Sequence, residues 1–151
     1  MVLVRGATVH DVPWIMPELR VFAGFYSDTI NLYPKDDLYA RARLEEMIDK
    51  HLVLVAEDVE PMGFIAGLVT PHFFNPDLQV FAEVFWWVRE AYRGSSAGLR
   101  LLRAVEAWSV GKVDLITMSL QAKTPVNPDC LLRRGYELME SSFVKVVPKV
   151  A

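Results

Sequence analysis

Two features of this 151-residue chain have the residue types and spacing to do chemistry. The first is an apolar run, Val84-Phe85-Trp86-Trp87-Val88, followed closely by Tyr92-Arg93-Gly94-Ser95-Ser96-Ala97-Gly98-Leu99. An apolar strand that enters a turn of small residues and then opens an amphipathic helix builds a phosphate cradle. The N–H groups of a first helical turn have no intrahelical partner, and the helix dipole adds a partial positive charge beside them. Glycine, serine and alanine let a pyrophosphate come close to that backbone. The second feature is Glu83, which interrupts the apolar stretch that runs from Val80 to Val88. A carboxylate in such a place must be paired, solvated or raised in pKa. With a raised pKa beside a cleft it suits proton abstraction.

Other chemistries find no support. His10, His51 and His72 are scattered and lack the close spacing of a metal site, so no metal is expected. There is neither a Gly-x-x-x-x-Gly-Lys-Ser/Thr phosphate loop nor a Gly-x-Ser-x-Gly elbow. A dinucleotide-binding fold would carry its glycine turn after the first strand, whereas here it follows residue 92. Cys130, the single cysteine, has no histidine near it in sequence and reads as a small packed residue.

The elements that must position these residues follow from periodicity and punctuation. Val2 to Arg5 reads as a short strand, and Asp11 as the N-cap of a helix with Pro13 and Pro17 near its start, where Pro17 is a point at which it could split. Phe22 to Lys35 reads as a loop, and Asp36-Asp37 cap a second helix that ends at Lys50. Leu52 to Ala56 and Gly63 to Thr70 form a hairpin across a polar turn, and Pro71 to Asp77 is a loop. Val80 to Val88 is the next strand, with Phe85 and Trp87 on one face and Val84, Trp86 and Val88 on the other. Ser96 to Val110 is a helix closed by Gly111, Val113 to Leu120 a strand, and Asn127 to Arg134 a short helix closed by Gly135. Tyr136 to Met139 and Phe143 to Val147 form a closing hairpin.

Length and a 52% hydrophobic composition suit one domain with a substantial core. No apolar run reaches the roughly 18 to 20 residues that span a bilayer. The start, Met1-Val2-Leu3-Val4-Arg5, lacks the layout of a secretory leader, and a lone cysteine suits a reducing compartment, so a cytoplasmic location is expected. A net charge of -3 argues against nucleic acid as the main partner. Its distribution is uneven: residues 1 to 92 hold 7 Lys and Arg against 14 Asp and Glu, and residues 93 to 151 hold 9 against 5. An anionic ligand on the carboxy-terminal half and a cationic acceptor facing the other half would account for this, as would surface charge that merely segregates.

Element order and motif together resemble the GNAT superfamily of acyl-CoA-dependent N-acyltransferases over nearly the whole chain. Members carry Arg or Gln, two residues, Gly, one residue, then Gly or Ala at the start of the helix after the fourth strand. Arg93-Gly94-Ser95-Ser96-Ala97-Gly98 fits, with Ser96 where the first glycine is usual. Val88-Arg89-Glu90-Ala91-Tyr92-Arg93-Gly94 is similar to the family's lead-in, with Glu90 in place of its proline. At Ser96 the Cβ narrows the approach to the backbone, and a positive φ would be costly.

The resemblance implies a single N-acetyltransferase domain over residues 1–151. Its fold would be α/β, a mixed and mostly antiparallel sheet of about seven strands, with a splay between strands 4 and 5 and about four flanking helices. It implies acetyl-CoA as cofactor, with the pyrophosphate held by Arg93, Gly94, Ser95, Ser96, Ala97, Gly98 and Leu99. The pantetheine arm would lie along Trp86, Trp87 and Val88, within reach of Asn127. Glu83 becomes the candidate base, since Phe81-Ala82-Glu83-Val84 resembles the strand that holds it in histone-type members. Phe25, Tyr26, Asp28, His72 and Phe73 are candidates for contact with a small-molecule or protein amine acceptor. The tyrosine that protonates the departing thiolate in many members is replaced by Leu131, which leaves Tyr136, Cys130, Tyr26, Tyr33 or solvent for that role. Against catalysis stands an acyl-CoA-binding or regulatory protein of the same fold. Aromatic content and sheet edges suit a homodimer.

Overall fold

The computed structural model describes residues 1–33 and 35–150. Five strands form one sheet in chain order: β1 (Leu3–Gly6), β2 (Leu52–Glu57), β3 (Pro61–Pro71), β4 (Gln79–Val88) and β5 (Leu115–Thr117). The first four pair antiparallel, and β5 pairs parallel to β4. Four α-helices accompany them: α1 (Val12–Ala23), α2 (Leu38–Lys50), α3 (Ala97–Ser109) and α4 (Asp129–Leu132).

Helices α1 and α2 cover one face of the sheet, where Val12, Ile15, Met16, Leu19 and Phe22 of α1 pack with Leu44, Val55, Phe64 and Trp87. Helix α3 covers the other, with Ala97, Leu101 and Val105 against Ala56, Ile65 and Phe81. Pro17 does not split α1. It removes one N–H donor, but the five buried apolar side chains spaced around it hold the helix to the sheet. The cap ahead of α1 is Thr8, which starts a 3-10 turn (Val9–Asp11). The buried Asp11 carboxylate instead accepts from the two terminal guanidinium nitrogens of Arg5, the Trp14 indole and the Thr8 N–H. That network ties the start of α1 to β1.

Two expectations are corrected. The sheet has five strands rather than about seven, because residues 136–139 and 143–147 form no strand and residues 137–150 are exposed throughout. A strand has no hydrogen bonds of its own, so strand-forming residues stay extended coil until an edge accepts them. The second correction concerns β4. The β3–β4 register slips between Ala66 and Gly67: Ala66 opposes Phe85, Gly67 opposes Glu83, and Val84 is the extra residue of a bulge. Val84 and Phe85 therefore both pack on the α2 side, with Met47 and Val53, so simple alternation fails at Val84.

Candidate functional site

The β4–β5 ladder is short. Val80, Phe81 and Ala82 pair with Leu115, Ile116 and Thr117, and there the pairing ends. β4 runs on to Val88, while the chain beyond Thr117 leaves it. The expected strand Val113–Leu120 is cut to three residues for this reason. The result is a fork whose first limb is the β4 edge from Glu83 to Val88 and whose second limb is residues 118–123.

Glu83 sits where the limbs part. Its parity is that of Phe81, which packs beneath α3, because the bulge at Val84 shifts everything before it by one position of the pleat. Its carboxylate is buried, and the Ser119 N–H donates to it at 2.9 Å. Burial raises its pKa to about 7, and the Ser119 hydrogen bond opposes only part of that rise. A carboxyl group half-ionised near neutral pH at the apex of an open fork is equipped to take and release a proton.

The open limb leads to the mouth of α3. Gly94 turns the chain with φ +89°, and the exposed Ser95 and Ser96 follow it. The first helical bond runs from the Arg100 N–H to the Ser96 carbonyl at 2.9 Å, and the Ala97 N–H is taken by Ser95 Oγ. Gly98 and Leu99 therefore present N–H groups with no acceptor in the helix. A Cβ at Gly98 would point toward Val88 and Trp86, into the gap between helix and strand. Ser96 has φ -77°, an ordinary helical value, so serine carries no backbone strain there and the costly positive φ does not arise.

The three expected residues of the open edge differ in their side chains. Trp86 donates its indole N–H to the Gly98 carbonyl at 3.2 Å and so joins β4 to the first turn of α3. The Trp87 ring is buried on the α1 side, where its indole N–H reaches Glu18 Oε1 at 3.3 Å. The Arg89 N–H donates to the Met62 carbonyl, so by alternation the Trp87 N–H and carbonyl pair with Phe64 of β3, and the backbone groups of Trp86 and Val88 face the fork. The Val88 carbonyl accepts from Arg93 Nε at 3.2 Å, and the Arg93 guanidinium stacks over the Trp87 ring at 4.5 Å. Arg93 thus turns back along the strand, away from the helix mouth.

The loop after α1 closes the inner end of the fork. Phe25 packs edge-on to Trp87 with ring centroids 4.9 Å apart, and Tyr26 packs edge-on to Phe22. Tyr26 lies within electrostatic reach of Glu83; burial first, and that carboxylate second, raise its pKa. Asp28 is paired with Lys123. The Gln121 amide donates to the Phe22 carbonyl at 2.7 Å, and the Lys123 N–H to the Phe25 carbonyl at 3.1 Å. Phe25, Tyr26 and Asp28 are thereby brought together with Glu83 and the second limb. His72 and Phe73 are not. They belong to the β3–β4 turn, and the strand from Gln79 to Glu83 alone spans about 13 Å. His72 Nδ1 accepts from the Phe74 N–H within that turn.

Asn127 Oδ1 accepts from the Asp129 N–H at 2.9 Å in the turn ahead of α4, whose N-cap is Pro128, and Leu131 is buried. Cys130 is a half-buried free thiol, and Tyr33 packs beneath the Arg20 guanidinium. Tyr136 neighbours Glu106 and Arg134; burial, then Glu106, push it up to about 12. Of the tyrosines considered for proton transfer, Tyr26 is the one that senses Glu83. Among the described residues, no group of three or more His, Cys, Asp and Glu could hold a metal. Among the described residues, no helix is long and apolar enough to cross a membrane.

Sequence reasoning missed Ser119, Gln121 and Lys123. Ser119 acts through a backbone N–H, which carries no residue signature, and Gln121 and Lys123 reach partners more than 90 residues away, the Phe22 carbonyl and the Phe25 carbonyl with Asp28.

The family model described as the Acetyltransferase (GNAT) family matches residues 18–130. No curated protein matches the chain at a significant level. Among solved structures, a ribosomal-protein-alanine N-acetyltransferase from Brucella melitensis biovar Abortus 2308 is similar with TM-score 0.76 and 17% identity, covering 99% of each chain. An acetyltransferase from Trypanosoma brucei gives TM-score 0.72 and 14% identity, over 97% of this chain and 100% of that one. An aminoglycoside acetyltransferase from an uncultured soil metagenomic sample, solved with sisomicin, gives TM-score 0.63 and 14% identity over 99% and 97%.

Proposed function

The chain belongs to the GNAT acetyltransferase family, and on that premise we propose that it moves the acetyl group of acetyl-CoA to an amine acceptor by direct attack in a ternary complex. The observation that carries this reading is the fork: β4 and β5 separate after Ala82 and Thr117, with a buried carboxyl of pKa about 7 at the point of separation.

The chain's groups fit the proposed cofactor. The unpaired N–H groups of Gly98 and Leu99, beside Gly94, Ser95 and Ser96 and next to Ala97, suit a pyrophosphate. The main chain of Trp86 and Val88 suits the amides of the pantetheine arm, with the Val88 carbonyl passing from Arg93 to that arm, while the Trp87 backbone stays paired to β3. Asn127 keeps its hydrogen bond to the Asp129 N–H in this reading. When bound, acetyl-CoA supplies an activated thioester.

The remaining work belongs to Glu83. An amine attacks only when neutral, and an ordinary alkyl amine is protonated at pH 7. Glu83 in its ionised form takes that proton, directly or through a water. As the carbon–nitrogen bond forms and the carbon–sulfur bond breaks, the nitrogen's second proton leaves to solvent, or to Glu83 once that carboxyl has passed the first proton to solvent. Tyr26 and Asp28 line the approach for the acceptor. The thiolate takes its proton from solvent, since Leu131 has none to give. An alanine of a ribosomal protein and an aminoglycoside, named for two of the similar structures, set no common acceptor size.

Leu131 favours one rival reading, a protein that binds acetyl-CoA without turning it over. Calorimetry with acetyl-CoA and mass spectrometry of products across an amine panel separate the two. Micromolar binding with acetylated product is expected; binding without product supports the rival, and the absence of binding sinks both.

A further inference from the structure

Arg93 is a cation without an anion. Its Nε donates to the Val88 carbonyl at 3.2 Å, and its guanidinium lies 4.5 Å from the centre of the Trp87 ring and 5.7 Å from that of Phe25. The side chain is half-buried, and among the described residues no carboxylate forms an ion pair with it. Arg89, four residues earlier, has Glu18 at 3.8 Å. A guanidinium held by one carbonyl and two aromatic rings is held less firmly than one paired with a carboxylate, and its charge is left for an incoming anion.

What Arg93 occupies is the outer end of the fork. The Val88 carbonyl points away from β3, so it is an edge acceptor against which an extended chain of amides would pair. With Arg93 on it, that acceptor is filled from within the molecule. The same guanidinium reaches the loop after α1 through Phe25, whose ring packs edge-on to Trp87 at 4.9 Å and whose carbonyl accepts from the Lys123 N–H. One side chain therefore joins the turn before α3, the β4 edge and the loop that closes the inner end of the fork.

We infer that Arg93 is a bolt on the fork: its guanidinium fills the Val88 acceptor, yields it to an acyl carrier, and carries its freed charge to the carrier's phosphates. The inference rests on acetyl-CoA as the cofactor. It adds that the two ends of the carrier meet one residue with opposite effect, since the pantetheine arm binds in competition with Arg93 and the phosphates bind with its help. Arg93 immediately precedes Gly94 and Ser95 of the α3 mouth, so a single swing of the side chain serves both positions. Withdrawal from the Trp87 and Phe25 rings also unfastens the loop after α1, which ties the arrival of the cofactor to the wall that faces the acceptor.

The test is calorimetry on the full chain with two probes, acetyl-CoA and S-acetylpantetheine, which lacks the phosphates. Arg93→Met keeps an apolar stem and removes the guanidinium. It should bind S-acetylpantetheine about five- to tenfold more tightly than the wild type, because a charged hydrogen bond no longer has to be broken first. Its preference for acetyl-CoA over S-acetylpantetheine should fall by about tenfold or more, because the phosphates lose a cation. Phe25→Leu withdraws one ring from the guanidinium and should tighten S-acetylpantetheine about two- to threefold with the preference kept. Thermal melts establish that both variants are folded. Three results would overturn the bolt: S-acetylpantetheine affinity unchanged in Arg93→Met while acetyl-CoA weakens, which makes Arg93 a phosphate anchor alone; both probes weakened in parallel, which makes it a structural prop; or a preference that survives the change. Each leaves the acetyl-CoA reading standing, whereas a wild type that binds neither probe removes that reading and the bolt with it.

Discussion

The Ser119 N–H donates to the Glu83 carboxylate at 2.9 Å, at the first residue beyond the last β4–β5 backbone pair. A side chain thus takes the hydrogen bond that a further rung of the ladder would have used. It holds the limbs at a fixed separation and keeps a buried carboxyl partly charged. One residue serves both the shape of the fork and its chemistry.

With Glu83 as base, kcat/KM falls about tenfold per pH unit below pH 7 and levels off above it. Glu83→Gln lowers kcat by about 10²- to 10⁴-fold and removes the titration, while acetyl-CoA affinity changes little. Steady-state rates from pH 5.5 to 9 check this, and an unchanged profile in the variant excludes Glu83 as the base.

The same carboxyl has a stability signature. Its folded pKa, about 7, lies above the ordinary 4.5, so between these values the folded state binds more protons than the unfolded one. Stability therefore declines as pH rises through that window, by about 3 kcal/mol in all. Glu83→Gln lacks this slope and gains on the wild type between pH 4 and pH 8, as urea titrations at the two pH values would show.

At the helix mouth, size matters more than glycine's backbone freedom. Ser96→Gly should change acetyl-CoA affinity less than about threefold, because φ is already -77° and the substitution loses only small contacts. Gly98→Val places a branched side chain in the gap beside Val88 and Trp86, and should weaken binding tenfold or more. Calorimetry on both variants decides.

Gly67 faces Glu83 across the bulge, and a Cβ there would come within 2.5 Å of the Phe81 ring and 2.7 Å of the Ala82 carbonyl oxygen. Gly67→Ala should cost about 1–3 kcal/mol and blunt the pH dependence, since Phe81 and Glu83 move together. Thermal melts and the rate profile of the variant test this pairing.

What the sequence disclosed and what it concealed have physical causes. Glu83 was legible because a carboxylate in an apolar run needs a reason, and the α3 mouth because small residues after a strand are few enough to notice. The bulge at Val84 was concealed, since it arises from a slip against β3 that alternation within one strand does not encode. Asp11 read as a cap because its neighbours in sequence suggest one, whereas its charge is spent on Arg5. The tail read as a hairpin because strand propensity names a conformation without naming the edge that receives it.

Gln121 and Lys123 hold the Phe22 and Phe25 carbonyls from across the fork. Residues 22–28 and 118–123 are thus one clasp made of two distant stretches. Grafting a relative's first loop alone would leave half the buckle behind, so any transplant of acceptor preference has to carry both pieces.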